Sequence, residues 1–128
     1  MKNLIWVHLV FMSMGAILIV SAAVVAHSRK KGWFKRHRIL ALSGVVSSLF
    51  AFLAMETLKM TMHFPHLQSP HSIAGAMSVG LLIITFVTGM LIASGRKNLN
   101  SIHKALGRVT PVVMLATAVM GAVEFLRK

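Results

Sequence analysis

Four histidines lie near the beginnings of four long apolar segments, and their type and placement could do chemistry. They are His8, His37, His71 and His103. An imidazole at the edge of a membrane span is costly to keep there without a partner. Four such residues, one on each segment, therefore indicate ligands.

The segments that must position these histidines are long enough to cross a membrane. The chain is 56% hydrophobic and only 12% charged, a composition that excludes an ordinary soluble domain. Its charge-free runs approach, with their flanks, the ~20 residues of a spanning helix. We predict an all-α, integral membrane four-helix bundle with up-down-up-down topology. A single domain would cover residues 1–128, with helices at about 3–27, 37–62, 71–95 and 102–126.

The first segment has a second interpretation as a cleaved signal peptide, because Lys2 precedes an apolar run that contains the small residues Ala22 and Ala23. The run is long for that role, and a strongly basic stretch follows it directly. Both features favour a first helix that is retained.

The basic residues predict the orientation of the bundle. The chain has 14 Lys and Arg against two acids, an excess that would suggest nucleic acid as the partner of a soluble protein. Here the cations crowd the first and third connections, whereas the second, HFPHLQSP, has none. Lys and Arg are retained on the cytoplasmic side, so both termini should lie on the other side. Anionic lipid, and not nucleic acid, is the expected partner of these cations. The residues of the two basic connections are Arg29, Lys30, Lys31, Lys35, Arg36, Arg38, Arg96, Lys97, Lys104 and Arg108.

This topology arranges the four histidines into two pairs. First and third helices are diagonal in such a bundle, as are second and fourth. His8 should therefore face His71 near the outer surface, and His37 should face His103 near the inner surface, with the two sites roughly 20 Å apart along the helices. Two imidazoles facing each other can bind a haem iron from both sides. The chain has no cysteine, so the haem would be non-covalent and b-type.

The residues four and seven positions after each histidine share its helix face. Seven of these eight are small, as a face against a porphyrin would require. Close packing between membrane helices is the alternative explanation of small residues at this spacing. The eight residues are Met12, Gly15, Ala41, Gly44, Gly75, Ser78, Gly107 and Thr110.

Three stretches resemble the four-helix core of the cytochrome b561 family: WFKRHRILALSG, PHSIAGAMSVGLLIITFVTGML and IHKALGRVTPVVMLATAVMGA. The resemblance covers about residues 8–121, and its most specific pieces are W-F-x-x-H-R and the H-x-x-x-G steps at His71 and His103. It implies two haems, one held by His8 and His71 and the other by His37 and His103. Eukaryotic members have six helices and further substrate-binding stretches, and some relatives have Gly where Leu9 stands. An ascorbate-reductase activity therefore does not follow.

The expected function is that of a membrane dihaem b-type cytochrome, an oxidoreductase-type protein that carries electrons across the bilayer. A bacterial inner membrane is the expected location. Donor and acceptor would be separate: a redox protein, a multi-subunit complex, or a small acceptor such as quinone or a metal ion. One alternative is a haem-bearing anchor subunit that exchanges electrons with quinone. Another is a haem-free transporter or assembly protein that uses histidines. The scarcity of acids argues against the transporter. A path for cations through the membrane needs several acidic partners, and Glu56 is the only acid that we expect there.

Other polar residues have a functional and a structural interpretation. His27, His63 or His66 could replace one of the four ligands, although interfacial or loop positions explain them equally well. Glu56 could handle a proton or a quinol, or could form a local pair with Lys59. Three basic residues near the inner pair could bind haem propionates or could simply follow the positive-inside rule. They are Arg38, Lys104 and Arg108.

Overall fold

The computed structural model describes residues 2–64 and 67–127. These residues form four long helices: α1 (Lys2–Ser28), α2 (Trp33–Thr61), α3 (Pro70–Ala93) and α4 (Asn100–Leu126). A short 3-10 turn, Lys97–Leu99, precedes α4. Each of the four helices is long and apolar enough to cross a membrane. The predicted all-α, four-helix membrane fold is confirmed.

The four helices pack as two antiparallel hairpins. α1 runs along α2, and α3 runs along α4, whereas the hairpins touch each other more sparsely through α1 with α4 and α2 with α3. Among the described residues, the backbones of α1 and α3 do not approach each other closely, and neither do those of α2 and α4, so these helices are the diagonal pairs. The hairpins meet at an apolar core to which all four helices contribute: Ala16, Ile19, Val45, Leu82 and Met114.

The bundle has two ends, which we name by what they carry. At the terminal end α1 and α3 begin and α2 and α4 end. At the basic end α1 and α3 end and α2 and α4 begin. Both connections at the basic end are rich in Lys and Arg.

Two helix boundaries differ from the predicted ones because glycine reverses the chain. Gly32 has a φ of 76°, in the left-handed region that glycine adopts readily, and α2 begins directly after it at Trp33 rather than at residue 37. Lys35 and Arg36 therefore lie in the first turns of α2 and not in the connection. Gly95, with a φ of 108°, follows the end of α3 at Ala93, where the sequence predicted a helix up to residue 95.

The two hairpins are held together in different ways. In the α1–α2 hairpin, backbones approach closely at Gly15 and Gly44: a Cβ on Gly44 would lie 2.8 Å from the side chain of Ile19, and one on Gly15 would overlap the hydroxyl of Ser48. In the α3–α4 hairpin, hydroxyl groups hydrogen bond across the interface. Ser78 Oγ lies 2.8 Å from Thr117 Oγ1, and Thr85 Oγ1 lies 2.7 Å from Thr110 Oγ1.

Candidate haem-binding site

The four histidines form two pairs across the bundle. At the terminal end the ring centroids of His8 and His71 are 6.3 Å apart, with the ring planes at 82°. At the basic end those of His37 and His103 are 6.2 Å apart, with the planes at 80°. Each pair joins diagonal helices, so each spans the gap between the two hairpins.

A hydrogen bond from Nδ1 to a backbone carbonyl orients every ring. Each of the four carbonyls belongs to the other helix of the same hairpin. The four bonds are His8 to Ala51 O (3.0 Å), His37 to Ala22 O (2.9 Å), His71 to Thr117 O (3.0 Å) and His103 to Thr85 O (3.1 Å). A carbonyl oxygen can only accept, so Nδ1 carries the hydrogen and, in the neutral imidazole, Nε2 keeps a free lone pair. Metal-binding histidines in proteins are oriented in this way.

The four bonds follow one rule along the chain. On every helix, the carbonyl that accepts from the neighbouring histidine lies fourteen residues after the helix's own histidine. The pairs are His8 and Ala22, His37 and Ala51, His71 and Thr85, and His103 and Thr117. Because a helix rises 1.5 Å per residue, this interval separates the two ends of the site by about 21 Å.

The distance between facing rings fits two axial ligands of one metal ion. Imidazole nitrogens bind metals at about 2.0 Å, so two imidazoles on opposite sides of one ion have ring centroids about 6 Å apart. A tetrahedral metal site would need more protein ligands. Among the described residues, no group of three or more His, Cys, Asp or Glu could hold a metal ion. The donor set therefore suits a flat macrocycle whose iron lacks only its two axial ligands.

Comparison with known families decides the identity of the protein. A family model described as eukaryotic cytochrome b561 matches residues 7–126. The chain belongs to the cytochrome b561 family. It is a membrane b-type cytochrome involved in transmembrane electron transfer, and it binds b-type haem. A search of curated proteins and a search of solved structures each returned no match.

Two glycines of this b561 cytochrome allow the histidine rings to lie against the helix backbone. A Cβ on Gly121 would lie 2.6 Å from Cε1 of His71, and one on Gly89 would lie 2.9 Å from Cε1 of His103. Neither glycine was predicted to matter. They lie one helical turn after Thr117 and Thr85, whose accepting carbonyls are identified only by the packed structure, so the sequence holds no signal for them.

The small residues in phase with the histidines serve two purposes, and only part of the pattern concerns the cofactor. Gly15 and Gly44 lie in the α1–α2 contact, where helix packing explains them. The hydroxyl groups of Ser78 and Thr110 are buried in the α3–α4 interface. At Gly75 and Gly107, by contrast, an added Cβ would meet no atom within 4 Å apart from its chain neighbours and the nearby backbone of its own helix. Helix packing does not explain these two glycines, and their place beside a cofactor stays a prediction.

Both acidic residues of the b561 cytochrome, Glu56 and Glu124, lie in the long helices. Glu56 pairs with Lys59 at 2.7 Å, which confirms the local ion pair. Glu124 lies near the end of α4 and accepts a hydrogen bond from the backbone N–H of His71, with N and Oε1 3.2 Å apart. Helix membership therefore does not single out Glu56, because Glu124 also lies within a helix long enough to span the membrane. A search for every carboxylate within a spanning segment would have found Glu124.

Two of the three other histidines lie outside the two pairs. His27 is exposed in the last turn of α1, and His63 is exposed just after α2 with a φ of 51°. His66 lies outside the described residues.

The basic end carries an aromatic residue beside its histidine pair. The ring of Trp33 lies 6.3 Å from that of His37, and the guanidinium of Arg29 lies 5.5 Å above the Trp33 ring.

Among the three residues predicted as propionate partners, Arg38 covers the ring of Phe34 at 5.7 Å. Lys104 and Arg108 line an open surface depression at the start of α4. The structure thus gives Arg38 a local aromatic partner and leaves the two α4 residues exposed.

Proposed function

We propose that this cytochrome holds two b-type haems, one between His8 and His71 and one between His37 and His103, and carries electrons between the two membrane faces. One observation carries the proposal: both pairs present facing imidazoles whose Nδ1 atoms are already committed to carbonyls. The lone pair of each Nε2 is then available as an axial ligand.

The residues around the pairs have separable tasks. The carbonyl bonds fix the tautomer and the orientation of each ring before the cofactor binds. His103 has a further contact, because Thr88 Oγ1 lies 3.1 Å from its Nδ1. Between the two ends, the core of Ala16, Ile19, Val45, Leu82 and Met114 excludes water from the centre of the bundle. When bound, haem supplies one-electron iron chemistry, and the protein contributes position and surroundings.

We place the basic end on the cytoplasmic side of a bacterial inner membrane and both termini on the opposite side. The support is the distribution of Lys and Arg, which crowd the connections of the basic end. Electrons would then cross the bilayer along the helix axes, between sites that are about 21 Å apart at the level of the histidines.

The donor and the acceptor are separate molecules in this proposal. The described residues form four spanning helices and short connections, without a further domain among them. A redox protein or a multi-subunit complex is the partner we propose, with quinone or a metal ion as a small acceptor.

A haem count on the purified protein tests the proposal. We expect two b-type haems per chain by the pyridine haemochrome assay, and one per chain after His71→Ala or His103→Ala. His27→Ala is the matched control, because His27 is exposed and outside both pairs. A colourless protein after expression with sufficient haem, or a wild-type count of one, would contradict the proposal.

A further inference from the structure

The two ends of the bundle differ in charge. Both acids of the chain, Glu56 and Glu124, lie at the terminal end. The residues of the basic end include ten Lys and Arg and no acid. The two histidine pairs, which are nearly identical in geometry, therefore lie in different electrostatic surroundings.

Glu124 is in direct contact with His71, a histidine of the terminal-end pair. The first turn of α3 begins with Pro70, which has no N–H. Ser72 N–H donates a hydrogen bond to the hydroxyl of Ser69, and Ile73 N–H donates one to the backbone carbonyl of Ser69. The remaining donor, His71 N–H, goes to the carboxylate of Glu124 on α4. Glu124 thus joins the end of α4 to the residue that carries the terminal-end imidazole.

The other charged groups described at this end include the Glu56–Lys59 ion pair and Arg127. The charge of Glu56 is neutralised by Lys59 at 2.7 Å. Arg127 is exposed at the end of α4, where water screens its charge. Glu124 is half-buried, and a charge that is partly withdrawn from water acts more strongly on its neighbours.

A negative charge near a redox centre disfavours the addition of an electron, whereas positive charges favour it. Resting on the two-haem function proposed above, the geometry points to Glu124 as a positioning residue that fixes His71 and makes iron at the terminal end harder to reduce than iron at the basic end. An electron shared between the two sites then favours the basic end at equilibrium. Unequal ends give the cytochrome a preferred direction of transfer that the symmetric histidine geometry alone does not supply.

A potentiometric titration of the haem absorption, with the intact cytochrome in detergent or lipid, tests this inference. Wild type should titrate in two steps. Glu124→Gln keeps a side-chain oxygen for His71 N–H but removes the charge, so the lower-potential step should move to higher potential while the other stays. Glu124→Asp, which keeps the charge, should remain close to wild type. Lys97→Gln, an exposed change at the basic end, should leave the lower step unmoved.

The assignment of the steps to the two ends comes from the histidine variants. The step that Glu124→Gln moves should be missing in His71→Ala and present in His103→Ala. If Glu124→Gln fails to fold, Glu124→Asn provides a second neutral probe, matched in length to Glu124→Asp, and it should raise the same step.

The possible failures are distinguishable. Two haems with no shift in Glu124→Gln, or with an equal shift of both steps, would overturn the role of Glu124 and leave the proposed function standing. Two haems with no shift of the lower step in Glu124→Asn, where that is the variant used, would do the same. A single haem in wild type would overturn both.

Discussion

The two hairpins place their histidines by the same backbone geometry but are built from different side chains. In each hairpin, two Nδ1–carbonyl bonds of 2.9 to 3.1 Å join the helices near their ends. The α1–α2 hairpin has glycine contacts at its centre, and the α3–α4 hairpin has hydroxyl pairs. Ring orientation therefore depends on where the helix carbonyls lie, and different interfaces can place them equivalently.

The hairpins also differ in what lies one turn after each accepting carbonyl. In α3 and α4 these residues are Gly89 and Gly121, against which the imidazoles pack. In α1 and α2 the corresponding residues are Ala26 and Met55. Glycine at this position is thus a feature of the α3–α4 hairpin and is not shared by the α1–α2 hairpin.

The largest expected effect comes from adding a methyl group at Gly121. The Cβ of Gly121→Ala would lie 2.6 Å from Cε1 of His71, so the ring must move away from its carbonyl. We expect haem binding at the terminal end to weaken about tenfold or more, and the haem count to fall towards one per chain.

Gly80→Ala is the matched control for this change, because a Cβ there would meet no atom within 4 Å apart from its chain neighbours and the nearby backbone of its own helix. Gly89→Ala should produce the same loss at the basic end. A Gly121→Ala protein with both haems and an unchanged spectrum would show that the α3–α4 hairpin does not need glycine at this position.

A smaller, global effect is expected from Gly15→Ala. The new Cβ would overlap the hydroxyl of Ser48 and lie 3.2 Å from the carbonyl of Gly44. Overpacking of this kind costs about 1–3 kcal/mol, and here it should separate α1 from α2. We expect both haem sites to lose thermal stability together, measured as the temperature at which each absorption band is lost.

A shared loss of stability at both sites would distinguish Gly15, which lies in a helix contact, from Gly121 and Gly89, which lie against histidine rings. Loss of one site only in Gly15→Ala would contradict the assignment of Gly15 to hairpin packing. Gly80→Ala is again the control, and its melting temperature should match that of wild type.

The smallest effect is expected from Ser78→Ala, which removes one hydroxyl pair of the α3–α4 hairpin. A hydrogen bond between membrane helices contributes about 0.6 kcal/mol on average, so the melting temperature should fall slightly and both haems should remain. Thr57→Val is the control, since the Thr57 hydroxyl bonds within its own helix at an exposed position. A loss of haem in Ser78→Ala would show that this hydroxyl pair also supports the histidine site.

The sequence predicted much of this cytochrome because the membrane restricts what a chain can do. Long charge-free runs must be helices there, since backbone groups in lipid have to be satisfied within the segment. Short connections then make neighbours antiparallel, which made His71 the diagonal partner of His8, and His103 that of His37. The family match over residues 7–126 confirms the resemblance seen in the motifs.

Other features were beyond the sequence for a physical reason. The acceptors of the histidine bonds are backbone carbonyls, which every residue has, so no residue type marks Ala22 or Thr117. Glu124 is distant from His71 along the chain, and only the packing of α4 against α3 brings them together. The meaning of the small residues also required the packing, because a glycine at a helix contact and one beside open space look the same in sequence.

The sequence by itself determined the class of protein, the four helices and the residues available as ligands, because hydrophobicity and residue type act locally along the chain. Only the tertiary structure decided which nitrogen of each imidazole is free and which glycines touch a ring. It also decided which carboxylate lies beside His71. These outcomes depend on distances of a few ångströms between helices, and such distances are fixed only when the hairpins pack.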